Sequence, residues 1–180
     1  MKDRWLACLL GAWLMGSVML FVVAPTNFRL IDELLGGSPN ASFRGLVERY
    51  GHAPVRELLR YLASELNRSF FLRWNVLQLV FGVVCCVLAW RLPAGRRVRV
   101  MLSSATLLVV VLLGGFTPLI ISIGRSLDFV PRDPAPPQLG RFQLLHVAYT
   151  SIELVKVVCV GLAAFWLLRQ PVARGAQPAA

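Results

Sequence analysis

The stretch WLACLLGAWLMGSVMLFVV, residues 5–23, runs for nineteen residues without a charge. A helix needs about 20 such residues to cross the ~30 Å hydrocarbon layer of a bilayer. Lys2 and Arg4 stand just before it, as basic residues also do at the start of a secretory signal. The apolar run is long for a signal, and no A-x-A cleavage pattern follows, so it reads as an uncleaved anchor. Within it, Ala7 and Gly11, then Ala12 and Gly16, are small-xxx-small pairs of the kind that let helices approach closely.

Three further runs are predominantly apolar. The second spans about 70–92, with an uncharged core from Trp74 to Trp90 whose terminal tryptophans suit the two membrane interfaces. The third is 100–123, where Gly114, Gly115 and Pro118 predict a kink near its end. The fourth is 142–168. With the first at about 5–24, they predict an all-α, single-domain, integral membrane four-helix bundle over residues 1–170, followed by a disordered tail at 171–180. Composition agrees: 57% of the 180 residues are hydrophobic and 16% are charged, against roughly 25% charged in soluble domains.

Residues 25–69 form the longest segment outside the spans. Pro25 should bend or end the first helix, Phe28 to Leu35 reads as a short helical turn, and Gly36, Gly37, Ser38 and Pro39 break it. After Pro54, Val55, Leu58, Leu59, Leu62 and Leu66 recur at helical spacing, with Arg56, Glu57, Arg60 and Glu65 elsewhere around the helix. The pattern predicts a short interfacial helix in the first loop, resting on lipid headgroups or docking onto a partner. The proline-rich loop 124–140 should be extended.

The net charge is +10. Basic residues flank membrane spans, where they hold cytoplasmic loops and meet anionic lipid. No zinc-finger spacing or aromatic-interleaved basic module supports nucleic acid as a partner; the lipid bilayer is the expected one. Arg91, Arg96, Arg97 and Arg99 crowd the short loop between the second and third spans, which places both termini in the cytoplasm. The four cysteines, Cys8, Cys85, Cys86 and Cys159, all fall in apolar runs and show no metal-ligand spacing.

The fourth span carries ionisable residues at membrane depth. On a helical wheel His146, Tyr149, Thr150, Glu153 and Lys156 share an arc of roughly 120°, opposite Leu144, Ala148, Ser151, Val155 and Val158. A charge at the bilayer centre costs at least ~2.5–3.5 kcal/mol, so such groups turn toward protein or water. Glu153 and Lys156 are spaced to pair. Four-span topology places Asn27, Arg73, Asn75, Gln78, Thr117, His146 and Tyr149 in one half of the membrane, with Glu153 just deeper. Two readings follow: a ligand, ion or proton pocket centred on His146 and Glu153, or polar glue between helices. Arg73 by itself reads as a snorkelling side chain.

Three cofactors suit these residue types. Met15 and Met19, one turn apart, with an imidazole would hold copper(I); His146 alone would ligate haem iron or chlorophyll magnesium. Methionines at helical spacing in an apolar run also serve simply as packing, and His52 lies in a solvated loop. No H-E-x-x-H, G-x-S-x-G, phosphate-cradling glycine loop or carboxylate pair for acid–base work occurs, so the chain reads away from enzymes. The alternative class is an accessory subunit of a larger membrane complex.

GSVMLFVVAPTNFRLI at 16–31 and RFQLLHVAYTSIELVKV at 141–157 resemble the first and last helices of bacterial proteins in the transmembrane-protein-205-like family. The positions carrying the likeness are Pro25, Phe28, Phe142 and His146. The resemblance implies a four-helix bundle of the bacterial cytoplasmic (inner) membrane with no assigned activity. The group is distantly similar to copper-resistance D-type proteins and to a haem-binding membrane protoporphyrinogen oxidase. This chain has no second membrane histidine for bis-histidine haem ligation, and its first loop is longer and richer in arginine than the family pattern.

Overall fold

The computed structural model describes residues 2–38 and 40–170, and of residues 2 and 3 the backbone alone. Pro39 and the tail at 171–180 lie outside the described residues, which are helical throughout apart from short connections. The elements are α1 (Lys2–Gly37), α2 (Ala41–Tyr50), α3 (His52–Arg91), α4 (Arg96–Val111), a π-helical turn (Leu112–Phe116), α5 (Thr117–Ser126) and α6 (Gln138–Leu168). Four stretches are long and apolar enough to cross a membrane: Arg4–Gly37, His52–Arg91, Arg96–Ser126 and Gln138–Leu168. Around the bundle α1 packs on α3 and α6, and α4 packs on the same two, so α1 and α4 are diagonal.

The helices outreach the apolar runs that nucleate them. The 40 residues of α3 extend about 60 Å at 1.5 Å per residue, twice the hydrocarbon thickness. The amphipathic segment at 54–66 is therefore not a separate helix lying along the headgroups; it continues α3 beyond the span. Its inward stripe is Val55, Leu59, Ala63 and Asn67, while Leu58, Leu62 and Leu66 are exposed. The short helix of the first loop is α2, started by Asn40, whose Oδ1 accepts the Phe43 N–H at 3.0 Å. Gly51, at φ 85°, makes the one-residue turn from α2 into α3, a conformation that suits glycine. Ile31, Leu35, Val47 and Ala63 form a small core joining the α1 end, α2 and the α3 start.

Pro25 does not end the first helix, which continues to Gly37. Proline removes the N–H that would bond the Phe21 carbonyl, and neighbouring polar groups support the turn around it. The Thr26 hydroxyl donates to the Val22 carbonyl at 2.7 Å, and Asn67 Nδ2 from α3 donates to the Ala24 carbonyl at 3.0 Å. The kink expected at 114–118 appears as the π-helical turn Leu112–Phe116. The loop expected at 124–140 is shorter, because α5 runs to Ser126 and α6 starts at Gln138.

Of the small-residue pairs, Gly16 makes the closest approach: a Cβ there would stand 2.0 Å from the Trp74 ring. Trp74 thus packs inside the bundle rather than at an interface, whereas Trp90 is 64% exposed. At that same end Arg99 lies over Trp90, and Arg97 over Trp166 at 4.4 Å.

Candidate functional site

Eight side chains from all four spans form one buried polar network midway along the bundle. Lys156 Nζ on α6 is fully buried and donates to Glu153 Oε1 at 2.5 Å, to Ser17 Oγ at 2.8 Å and to Gln78 Oε1. Gln78 Oε1 also accepts the Trp13 indole N–H at 3.0 Å, and Gln78 Nε2 donates to Asn75 Oδ1 at 3.0 Å. Asn75 Nδ2 then donates to Thr117 Oγ1 (2.8 Å) and Tyr149 Oη (2.9 Å). Thr117 is held in turn by the Leu112 carbonyl of the π-helical turn. That carbonyl also accepts the Thr117 backbone N–H, the i→i+5 bond that defines the turn.

The network pairs the one buried cation with the one buried anion among the described residues, so its net charge is zero. Lys156 has three acceptors for its three protons. Glu153 is only 4% exposed, and its second oxygen, Oε2, has no hydrogen-bond partner. That atom is the point at which the network is incomplete.

Glu153 lines a groove of about 380 Å³ built by Ser17, Leu20, Phe21, Ala24, Pro25 and Phe28 of α1, Asn67 and Phe71 of α3, and His146, Tyr149, Thr150 and Glu153 of α6. Phe28, Asn67, Phe71, His146 and Tyr149 also line a narrower space of about 120 Å³ reaching Thr117 and Gly124. Beyond it lies a vestibule of about 620 Å³ between the α3 start, the 127–137 loop and the α6 start, flanked by Arg56, Arg60, Arg68, Asp128 and Arg132. Arg68 stands between the two, bonded to Asp128 through both terminal nitrogens at 2.8 Å and to Glu65 at 2.6 Å. This hydrogen bond from Arg68 holds the Glu65 carboxyl below its ordinary value, against a smaller opposing effect of burial.

Of the residues singled out in the sequence, Asn75, Gln78, Thr117, Tyr149, Glu153 and Lys156 meet in the network. Thr150 lines the groove, its hydroxyl tied to the His146 carbonyl at 2.9 Å. His146 is exposed at the groove mouth, stacked on Phe142, so the buried centre is Glu153 and Lys156 rather than His146. Arg73 is exposed, as are Met15 and Met19 on the outer face of α1, away from the groove lining. Among the described residues no three His, Cys, Asp or Glu side chains converge as metal ligands. Trp13 and Ser17 were not anticipated; their i, i+4 spacing in an otherwise apolar run was the available signal.

No protein-family model, curated protein or solved structure matches the chain.

Proposed function

We propose that this chain, with its four membrane-crossing helices, binds a small ligand in the α1–α3–α6 groove, with Glu153 as the anchoring group. The observation that carries this reading is Glu153 Oε2, buried and without a partner on a residue that lines a cavity. Interhelical glue accounts for Oε1 and Lys156 but leaves Oε2 unsatisfied, at a cost of about 1–3 kcal/mol or more for a charged group. The arginines of the 91–99 turn support a bacterial cytoplasmic-membrane orientation with both termini inside. The vestibule then opens on the opposite side.

The test is purification in mild detergent, followed by extraction and mass spectrometry of what the protein retains. Wild type should carry a stoichiometric small molecule that Glu153→Gln releases. A protein that retains nothing would overturn the reading.

A second reading, an accessory subunit, is favoured by one observation. Leu58 and Leu62 are 61% and 54% exposed on the amphipathic first part of α3, ahead of its uncharged core from Trp74 to Trp90. A companion protein co-purifying in place of a ligand, and lost on Leu58→Ser with Leu62→Ser, would favour it.

A further inference from the structure

Resting on the groove as a binding site, we infer that its ligand is a neutral lipophile with one hydroxyl or phenol donor, entering sideways from the bilayer between α1 and α6. Three observations narrow the chemistry to this class.

The first is charge. Glu153 is already neutralised by Lys156 at 2.5 Å. An anion would meet a bare carboxylate oxygen. A cation would add a second positive charge to a neutral pair in a low-dielectric interior, where an unbalanced charge is costly. A neutral donor satisfies Oε2 and leaves the balance untouched.

The second is hydrogen-bonding capacity inside the groove. Asn67 donates to the Ala24 carbonyl and accepts from Asn27, Tyr149 is tied to Asn75, Thr150 to a backbone carbonyl, and Ser17 to Trp13 and Lys156. Glu153 Oε2 is left as an acceptor at the inner end and the His146 imidazole stands at the mouth, so the ligand needs a single donor at its inner end.

The third is the wall and the way in. Leu20, Phe21, Phe28 and Phe71 supply apolar and aromatic surface. The lining comes from α1 and α6 with two α3 residues behind, and none from α4 or α5. The groove therefore lies in the α1–α6 seam, where Phe21 and Phe28 are about two-fifths exposed (40% and 39%) on the outer surface. A seam facing hydrocarbon admits molecules dissolved in hydrocarbon.

The experiment uses the full chain in lipid nanodiscs, with empty nanodiscs as the partition control. Saturable binding is measured for para-octylphenol, its methyl ether and para-octylbenzylammonium. Loss of one hydrogen bond to a charged acceptor predicts that the phenol binds about tenfold or more tighter than the ether. Glu153→Gln should abolish that difference. Ala24→Phe, which narrows the groove without touching the ion pair, should weaken the phenol and the ether alike, and so keeps the test decisive if Glu153→Gln misfolds. Equal affinity for phenol and ether, tighter binding of the ammonium, or no saturable binding of any would overturn the inference. If the purified protein still carries a small molecule that Glu153→Gln releases, the groove remains a site and only the ligand class is wrong.

Discussion

The two halves of the bundle are built on different principles. Toward the termini, Leu6, Leu10, Cys85, Ala89, Val98, Leu102, Ala105, Val109, Val160 and Ala163 interlock into a dry, close-packed core. Toward the long loops, the same helices enclose a polar network, a groove and a vestibule. In lipid, apolar side chains gain little by leaving hydrocarbon for a protein core, so the dry half is held by fit. The open half is held by hydrogen bonds whose alternatives in hydrocarbon are poor. One half fastens the bundle; the other has room for chemistry.

The largest expected effect comes from breaking the open half at its ion pair. Lys156→Met leaves Glu153 buried without a counter-charge and should cost about 3–5 kcal/mol, read as a lower midpoint in detergent-induced unfolding. The double variant Lys156→Met with Glu153→Gln removes both charges and should recover most of that loss. A single variant as stable as wild type would show that the pair is not part of what holds this half together.

A smaller effect sharpens the role of fit. Gly16→Ala drives a Cβ into the Trp74 ring and should cost about 1–3 kcal/mol through overpacking. Gly11→Ala, five residues earlier on the same helix and open on that side, should be neutral or stabilising by up to about 1 kcal/mol. Equal melting temperatures for the two variants would contradict close packing at the α1–α3 contact.

The smallest effect lies at the outer rim. Glu65 is exposed enough that its ion pair with Arg68 adds little at neutral pH. Its folded pKa is depressed below the ordinary 4.5, so its contribution is present above that value and lost as pH falls through the lowered one. The Glu65–Arg68 pair should therefore weaken on acidification below pH 4.5, whereas the 127–137 loop, tied to Arg68 through Asp128, should become more open to protease nicking at neutral pH in Arg68→Gln. A cleavage rate unchanged in Arg68→Gln would remove Arg68 as the tie between α3 and this loop.

Much of this is legible in the sequence. Long, predominantly apolar runs determine four crossing helices, because unpaired backbone groups are intolerable in hydrocarbon. The arc on the last helix marked Tyr149, Glu153 and Lys156 for burial, because charges at that depth must turn inward. Gly114, Gly115 and Pro118 marked the irregular turn. Tertiary structure alone decided how each helix is rotated against its neighbours and where it stops. That rotation brings Trp13 and Ser17 of an apolar run onto Lys156, turns Met15 and Met19 outward, and leaves His146 at the mouth. Packing against α1 and α2 carries α3 straight through its amphipathic segment, which periodicity alone set down as a separate helix. Hydropathy reports a side chain's preferred solvent; which side chain faces it across a seam depends on contacts between residues up to 139 positions apart, as Ser17 and Lys156 are.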